Sequence, residues 1–247
     1  DHKLLESLWD TSTSGIDIRE RSHITIDGLN LQKGWYGVWH GNNTKAPAGN
    51  VNVSNVVIRN CLITHFFWGI YGDSFSNCVS SDFSISGNYI DYCNCGISSW
   101  TASQAVTESA GKQYSLRHAY TKNQIHHLAC ASDTMLWHDA YYHKGYNLTD
   151  HEGISFQHSQ DCTVSDNLIT NNYNPVSSGR TDGSSDEYSN RALYIYLADG
   201  GKAAGNVFAR NYIIGHYSPA IYVSGFGNGG FERNTYSYNV VRYNFHD

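Results

Sequence analysis

Two acidic residues, Glu152 and Asp199, combine a residue type and a setting that suit glycoside cleavage. Glu152 directly precedes a short apolar run, and Asp199 ends the strand-like run 193–198. The repeat described below predicts that they lie on adjacent coils, where two carboxylates could act as acid and base or as acid and nucleophile. Asp199 is followed by two glycines, and aspartate also starts ordinary turns, so turn and catalyst are both open interpretations.

Histidines are concentrated around the first of these carboxylates. Seven of the 13 histidines fall between His118 and His158, and histidine exchanges protons near neutral pH. Any single histidine is more often structural, but the cluster predicts acid–base chemistry or substrate binding in segment 137–152. The residues expected to act beside the carboxylates are His138, Asp139 and His151, and those expected to hold substrate are Tyr142, His143 and Lys144. No His-Glu-x-x-His spacing occurs, and no metal site is predicted from these histidines.

A second polar segment, 173–190, precedes the strand that ends at Asp199. Arg180 within this segment and Arg191 directly after it are predicted to bind substrate. The acidic stretch 182–187 is typical either of a solvated loop or of a weak calcium site. Calcium is therefore the one ligand left open, and no other cofactor is predicted.

The elements that must position these groups are indicated by a repeated phrase, an asparagine followed within one or two residues by aliphatic residues. Its asparagines are, in order, Asn30, Asn60, Asn88, Asn123, Asn167, Asn211 and Asn239. Intervals of 30, 28, 35, 44, 44 and 28 residues separate them. A unit of this size cannot bury its own apolar face, so it must stack on further copies. Stacked asparagines can hydrogen-bond to one another, and the pattern therefore predicts an internal asparagine ladder.

Short strands flank each phrase. An alternating strand such as Phe83-Ser84-Ile85 precedes the asparagine, and a strand that opens with glycine or alanine, such as Gly96-Ile97, follows it. No sustained helical period occurs, so the sequence predicts an all-β solenoid. Over residues 16 to 247 these features resemble the right-handed parallel β-helix of the pectate-lyase-like superfamily. The resemblance implies one right-handed parallel β-helix domain over residues 1–247, with about seven rungs and long loops at one corner.

The strand that opens with glycine or alanine carries a predicted binding surface. If its aliphatic residue points inward, strand alternation points the next residue outward. The resulting outward row is Trp39, Tyr71, Ser98, Ser155, Tyr194 and Tyr222, and two residues further along lie Trp100, Gln157 and Tyr196. Tryptophan and tyrosine suit the apolar face and hydroxylated rim of a sugar ring, so the aromatic members of both rows are expected to bind substrate. The other interpretation is that loops cover these rings, which then serve as packing.

The uneven spacing of the repeat locates the site. The two intervals of 44 residues place their excess in loops 129–152 and 173–190, at the same corner. Long loops in a compact domain are usually functional or disordered, and insertions on one face of a solenoid often build a binding wall. With segment 101–115 they are predicted to wall a cleft around the coils of Ile154 and Ile195.

Composition excludes some partners and indicates a compartment. A net charge of −6 with 15% charged residues argues against nucleic acid, and no apolar stretch reaches membrane-spanning length. The only methionine is Met135 and the last phrase stops mid-rung, which predicts a processed or longer chain with a further domain or an end-capping partner. Three glycosylation sequons, and the usual setting of the resembled fold, predict secretion to the extracellular space. Cys95 and Cys130 are predicted on neighbouring coils, where a disulfide and two reduced thiols are equally open.

Activities known for the resembled fold narrow the predicted function. Polygalacturonase-type hydrolases use a paired-aspartate motif, which this sequence lacks. The strand 194–201 is similar to one in β-helix glycosidases, which favours a polysaccharide-degrading glycoside hydrolase that uses Asp199 and Glu152. The first alternative is a lyase or epimerase acting on a uronic-acid polymer by β-elimination, with a histidine or Lys144 as base. The second is a non-catalytic glycan-binding or structural solenoid, such as a tailspike, an adhesin or a filament subunit.

Overall fold

A computed structural model describes residues 14–41, 52–74, 79–93, 95–101, 115–128, 151–172, 190–197, 201–216, 220–225 and 230–242. Every regular element in these ranges is a β-strand, and none contains a helix of the length and apolarity needed to cross a membrane. In chain order the strands are β1 (Ser14–Asp17), β2 (Thr25–Asp27), β3 (Asn30–Gly41), β4 (Val53–Ser54), β5 (Val57–Arg59), β6 (Leu62–Ser74), β7 (Ser80–Ser81), β8 (Ser84–Ser86), β9 (Tyr89–Asp91), β10 (Cys95–Thr101), β11 (Ser115–Leu116), β12 (Ala119–Thr121), β13 (Gln124–His126), β14 (His151–Gln157), β15 (Ser159–Gln160), β16 (Thr163–Ser165), β17 (Leu168–Asn172), β18 (Asn190–Leu197), β19 (Lys202–Ala204), β20 (Val207–Ala209), β21 (Tyr212–His216), β22 (Ile221–Gly225), β23 (Gly230–Glu232), β24 (Thr235–Ser237) and β25 (Val240–Arg242).

Three sheets are built from these strands, and every pair within them is parallel. One sheet runs β2-β5-β8-β12-β16-β20-β24, and a second runs β23-β19-β15-β11-β7-β4. Each strand therefore pairs with its counterpart one repeat along the chain, and we call one such repeat a coil. The all-β class and the parallel stacking predicted by the repeat are confirmed, and the arrangement is compatible with a solenoid.

The third sheet, of 12 strands, consists of two sets joined at one end. The asparagine-side strands are β9, β13, β17, β21 and β25, and the glycine-side strands are β1, β10, β14, β18 and β22. Strands β3 and β6, of 12 and 13 residues, are long enough to belong to both sets. In later coils the chain leaves one set and re-enters the other, and this is the corner that carries the candidate site.

The long intervals of the repeat fall at this corner. Strand β13 ends at His126 and β14 begins at His151, while β17 ends at Asn172 and β18 begins at Asn190. Both intervals join an asparagine-side strand to a glycine-side strand. The predicted loops were too long by one or two residues, because His151 and Glu152 pair with Asn190 and Arg191 in the sheet. Residues 102–114, 129–150 and 173–189 lie outside the described residues.

The core consists of aliphatic rows that repeat from coil to coil. The fully buried members include Ile63, Ile90, Ile125, Ile169 and Ile213 on the asparagine side and Val38, Ile70, Ile97 and Ile154 on the glycine side. Glycine precedes each of the second group because the chain turns close to the next coil there. A Cβ at Gly69 would lie 2.7 Å from the carbonyl oxygen of Gly96, closer than real Cβ atoms come.

An asparagine ladder crosses the interior beside these rows. Its members are Asn88, Asn123, Asn167, Asn211 and Asn239. At each step the side-chain oxygen of one asparagine accepts hydrogen bonds from the backbone N–H and the side-chain amide of the preceding one, as at Asn123 to Asn167, at 3.0 and 3.1 Å. The amide of each member also donates to a backbone carbonyl one coil back, such as Asn167 to Tyr120 at 2.9 Å. The ladder therefore satisfies polar groups at a turn that is buried in every coil except the last, where Asn239 is half-buried.

The prediction of the ladder is wrong for its two N-terminal asparagines, which are not members of it. The position before Asn88 in the ladder is Cys61, whose N–H donates to the Asn88 side chain at 3.0 Å. Asn60 is exposed, and its amide donates to Asp27 at 2.9 Å. Asn30 pairs with Leu62 within the third sheet. In this coil the interior position lies one residue after the asparagine of the repeat. A shift of one residue at a turn moves a side chain from the interior to the surface.

A second, shorter ladder was not predicted. The Asn206 side chain accepts from the N–H of Cys162 at 2.9 Å, and Asn234 accepts from the N–H and amide of Asn206 at 3.1 and 2.8 Å. It occupies the turn that precedes the alternating strand. Only two of the coils have asparagine there, which is too few for a repeat to be evident in the sequence.

Candidate functional site

The six residues predicted to form an outward row are aligned with one another in the glycine-side strands. Their register aligns Trp39, Tyr71, Ser98, Ser155, Tyr194 and Tyr222. The exposure of these residues differs from the prediction in the middle of the row. Ser98 and Ser155 are fully buried, with their hydroxyls hydrogen-bonded at 2.9 Å, and Tyr194 is only 5% exposed. Strand alternation predicts the direction in which a side chain points, whereas its burial depends on residues that are distant in the sequence.

Four half-buried rings form an aromatic platform at the N-terminal end of this row: Tyr36, Trp39, Trp68 and Tyr71. Tyr36 stacks on Trp39 with centroids 4.2 Å apart, and Trp68 lies 4.6 Å from Tyr71. Tyr36 and Tyr71 are 5.2 Å apart, so the rings of two coils make one continuous surface. Sequence analysis found Trp39 and Tyr71 but missed the other two, which stand just before the glycine of their strands and are aligned by the register.

A positive group borders the aromatic platform. The Arg19 guanidinium lies 3.4 Å from the centroid of the Trp39 ring, a cation–π contact. Asp17 accepts hydrogen bonds from the Arg19 side chain at 2.5 to 3.1 Å, and these bonds hold the pKa of Asp17 below its ordinary value. Arg19 is thereby fixed over the ring.

Glu152, predicted as a catalytic carboxylate, is fully buried. It lies 3.4 Å from Arg191, whose side chain is 12% exposed. A buried carboxylate beside a guanidinium is stabilised as an ion pair, and removing either partner of such a pair is costly. Glu152 therefore has no exposed surface in this conformation, and its carboxylate contacts Arg191.

Arg191 in turn covers the C-terminal end of the outward row. Its guanidinium lies 4.1 Å from the centroid of Tyr194 and 4.9 Å from that of Tyr222. The Tyr194 hydroxyl is 3.1 Å from that of Ser224, and Tyr196, which is half-buried, lies 6.0 Å from Tyr194. The structure thus brings together four of the predicted substrate-binding residues. They were expected as an exposed surface, whereas the arginine packs against the tyrosine rings.

The histidine cluster predicted around Glu152 divides into separate groups. His118 and His158 are fully buried between the stacked sheets. His118 lies 2.9 Å from the hydroxyl of Tyr120 and 3.0 Å from the carbonyl oxygen of Ser80, and burial lowers its pKa to about 4. These two histidines are structural.

His126 and His127, at the end of β13, form a group that sequence analysis did not single out. Asp91 on the preceding coil lies 2.8 Å from the Nδ1 atom of His127. His126 Nδ1 is 2.5 Å from the hydroxyl oxygen of Thr170 on the following coil. The sequence separation of 36 residues between Asp91 and His127 hides the pair until the coils are stacked.

Two of the buried thiols, Cys93 and Cys162, are poor nucleophiles. Burial raises the pKa of Cys93 and of Cys162 to about 12, so neither is a thiolate at neutral pH. Cys95 is buried, and its predicted partner Cys130 lies outside the described residues.

The remaining predicted residues fall outside this description. Asp199, His138, Asp139, Tyr142, His143, Lys144 and Arg180 lie outside the described residues, as does the acidic stretch 182–187. For His151 and Trp100 only the backbone is described, in β14 and β10. Within the described ranges no three His, Cys, Asp or Glu side chains are grouped to hold a metal ion.

Comparison with protein-family models, with curated proteins and with solved structures finds no match to this chain.

Proposed function

We propose that this chain is a secreted, carbohydrate-active parallel β-helix protein that degrades a polysaccharide. Seven strands in one parallel sheet support about seven coils. Because parallel crossovers are almost always right-handed, we assign that hand to the solenoid. The resemblance to the pectate-lyase-like superfamily belongs to this proposal, as does a single domain over residues 1–247.

The observation that carries the proposal is the aromatic platform. Partly exposed tyrosine and tryptophan rings, stacked or tilted against one another across two coils, supply an amphipathic surface against which sugar rings can pack. Tyr194 and Tyr222 continue the row of Trp39 and Tyr71, and the Arg191 guanidinium lies against both rings. Tyr196 lies two residues beyond Tyr194 on the same strand. Tyr194 is three coils beyond Tyr71, about 14 Å away at the usual strand spacing. A polymer lying along the row would meet both ends, so the proposed partner is a polysaccharide or a long oligosaccharide.

Arg191 favours a polymer that carries carboxylate groups. The Arg191 guanidinium, held by Glu152 and by two tyrosine rings, is a fixed positive group beside the row, and such a group suits a polymer that carries uronate carboxylates. This arrangement supports the β-elimination candidate, in which neutralising the uronate makes the neighbouring C–H acidic enough to lose its proton.

Glycoside hydrolysis is the second candidate, with Asp199 as one carboxylate. Its weakness is Glu152, because an acid or base must lie within hydrogen-bond reach of the reacting oxygen and Glu152 is fully buried. We therefore assign Glu152 a positioning role. Calcium bound by the acidic stretch 182–187 remains part of the proposal, and no other cofactor is invoked.

The test is a panel of neutral and uronate-containing polysaccharides. Elimination yields an unsaturated uronate that absorbs in the ultraviolet, whereas hydrolysis yields reducing ends alone. Replacing both Trp39 and Tyr71 by alanine should weaken polymer binding roughly tenfold or more. The control is Tyr238→Asn, because Tyr238 is 84% exposed and lies outside the row.

Two further variants separate the roles of Glu152 and Arg191. Arg191→Lys keeps the charge but loses the fork, and it should weaken binding of uronate polymers more than of neutral ones. Glu152→Gln should leave measurable activity, because the amide oxygen can still accept from Arg191. Complete loss of activity in a folded Glu152→Gln protein would restore Glu152 as a catalyst. Binding without any product would leave a glycan-binding solenoid.

A further inference from the structure

The last described coil leaves one end of the stack open. Strands β23, β24 and β25 each stand at the end of the pairing order of their sheet, so among the described strands each pairs on one side only. The inward side chains of these strands are Phe231, Tyr236 and Val241. They are 42%, 41% and 43% exposed, whereas the residues aligned with them one coil back are at most 1% exposed. We call this surface, from Gly230 to Arg242, the end face.

The backbone of the end face is open as well. The N–H groups of Gly230, Thr235 and Val240 donate to the preceding coil at 3.0, 2.8 and 2.9 Å. Neighbouring residues of a strand direct their N–H and C=O groups to opposite sides, so the inward residue that follows each of these directs its own away from the stack. Such an edge is a template for pairing with another chain, and natural proteins usually cover it.

The opposite end of the stack is covered at the matching position. Ile26 of β2 begins the inward column that ends at Tyr236, and it is only 5% exposed. An end face that stacked on the first coil of another copy would meet a covered side chain there. Pairing of the end face with itself, in a closed two-fold arrangement, is therefore favoured over head-to-tail stacking.

The spacing of the inward residues makes the end face complementary to itself. Phe231 and Val241 each lie five residues from Tyr236, so a two-fold axis through Tyr236 reverses the chain and exchanges them. In this arrangement β24 pairs antiparallel with β24 of the second copy, and β23 pairs with β25. Each opposed pair of inward residues has its open N–H and C=O groups facing, which allows about six backbone hydrogen bonds in all. Their apolar side chains meet on the inner side of the sheets.

Charged side chains on the rim fit the same arrangement. Glu232 and Arg242 are exposed and follow Phe231 and Val241 directly, so both point outward. Opposing Phe231 to Val241 places Glu232 diagonally across from the arginine of the second copy, within reach of long side chains. The two-fold axis repeats this pair of opposite charges. Within its own copy Glu232 has only a half-exposed contact with Lys202, at 3.5 Å.

We propose that the end face binds the end face of a second copy of this chain, giving an end-to-end dimer with its two-fold axis at Tyr236. The area of one coil is small for a protein interface, so the expected dissociation constant is on the order of micromolar. The proposal does not depend on the carbohydrate activity, because no residue of the aromatic platform lies in the end face.

The test is sedimentation equilibrium of the 247-residue chain from about 1 to 100 μM. Phe231→Lys and Val241→Asp each place an unpaired charge in the dimer, and each should raise the dissociation constant about 100-fold or more. The control is Val207→Lys, because Val207 is 36% exposed on β20 and lies outside the end face. It should dimerise as the wild type does. Circular dichroism checks that all three variants remain folded.

Mixing the two disruptive variants tests the two-fold pairing itself. In a mixed dimer the lysine of one variant faces the aspartate of the other, and the second opposed pair is the unchanged Phe231 and Val241. The mixture should therefore associate within about tenfold of the wild-type dissociation constant, although neither variant does so alone. A mixture of folded variants that stays dissociated would refute this pairing.

Amide hydrogen exchange of the wild type gives a readout that needs no substitution. The N–H groups of Phe231, Tyr236 and Val241 should become protected as the concentration rises through the dissociation constant. That of Thr235, which already donates to the preceding coil, should change much less. A chain that stays monomeric at about 100 μM would overturn the proposal and leave the end face to a different occupant. A dimer that tolerates both disruptive variants would overturn it too, because it would form through another surface.

Discussion

Asn167 lies at the centre of the asparagine ladder, and its replacement by alanine tests how the coils are held together. Its side chain takes part in four hydrogen bonds. It accepts from the N–H and amide of Asn123 at 3.0 and 3.1 Å, and it donates to Tyr120 and Asn211 at 2.9 Å each. The residue is 1% exposed, so water cannot readily replace these bonds.

The cost of Asn167→Ala follows from which groups lose every partner. The Asn123 amide retains a bond to the carbonyl of Ile85, and the Asn211 side chain retains the N–H of residue 167. The Asn123 N–H loses its acceptor altogether. One orphaned buried N–H together with three lost hydrogen bonds gives about 3–7 kcal/mol of destabilisation. For a chain of this length that corresponds to a fall in Tm on the order of 10–20 °C.

The measurement is urea and thermal unfolding followed by circular dichroism, with two controls. Asn239→Ala removes three comparable bonds at the half-buried last member of the ladder, where water can substitute, and should cost about 1 kcal/mol. Asn60→Gly removes an exposed asparagine in a left-handed turn and should cost less than about 1 kcal/mol. If Asn167→Ala is no more destabilising than Asn60→Gly, the ladder does not hold the coils together.

Two further predictions concern the interior. Burial lowers the pKa of His40 to about 3 and that of His118 to about 4, so the unfolded chain binds protons that the folded one does not. Their stabilising contribution is complete above about pH 6.5 and falls as the pH drops toward 4, by about tenfold in the unfolding constant per histidine and pH unit. In urea titrations at several pH values, His40→Leu should therefore make the free energy of unfolding depend less steeply on pH below about 6.5. An unchanged pH dependence would contradict this prediction. A Cβ at Gly72 would overlap the His40 ring, so Gly72→Ala should be strongly destabilising. In a double-mutant cycle His40→Ala should recover much of that loss, and simple additivity of the two changes would refute the contact.

Much of the fold could be predicted because the repeat is local. Each coil carries its own alternating strand, its turn asparagine and its glycine, and the need to bury one face makes stacking unavoidable. The parallel sheets, the aligned row from Trp39 to Tyr222 and the corner of the long intervals all followed from this. The error at Asn60 shows what the repeat pattern cannot predict. Only one of two neighbouring turn residues points inward, and the pattern does not say which one.

The candidate site was harder to predict because its chemistry depends on pairs that only stacking creates. Glu152 meets Arg191 across 39 residues, so the carboxylate predicted to be catalytic lies buried in an ion pair. Tyr194 was expected in the open and is covered by the same arginine. The pair of Asp91 and His127 was not predicted, because the two residues are 36 apart in the sequence.

Period and register are properties of residues close together in the chain, so the parallel stacking and the members of each row could be predicted from the repeat. Which members of a row are exposed, and which charges meet, became evident only in the folded chain. Those depend on what the next coil brings to the same place, up to 57 residues away, and no local pattern encodes that distance.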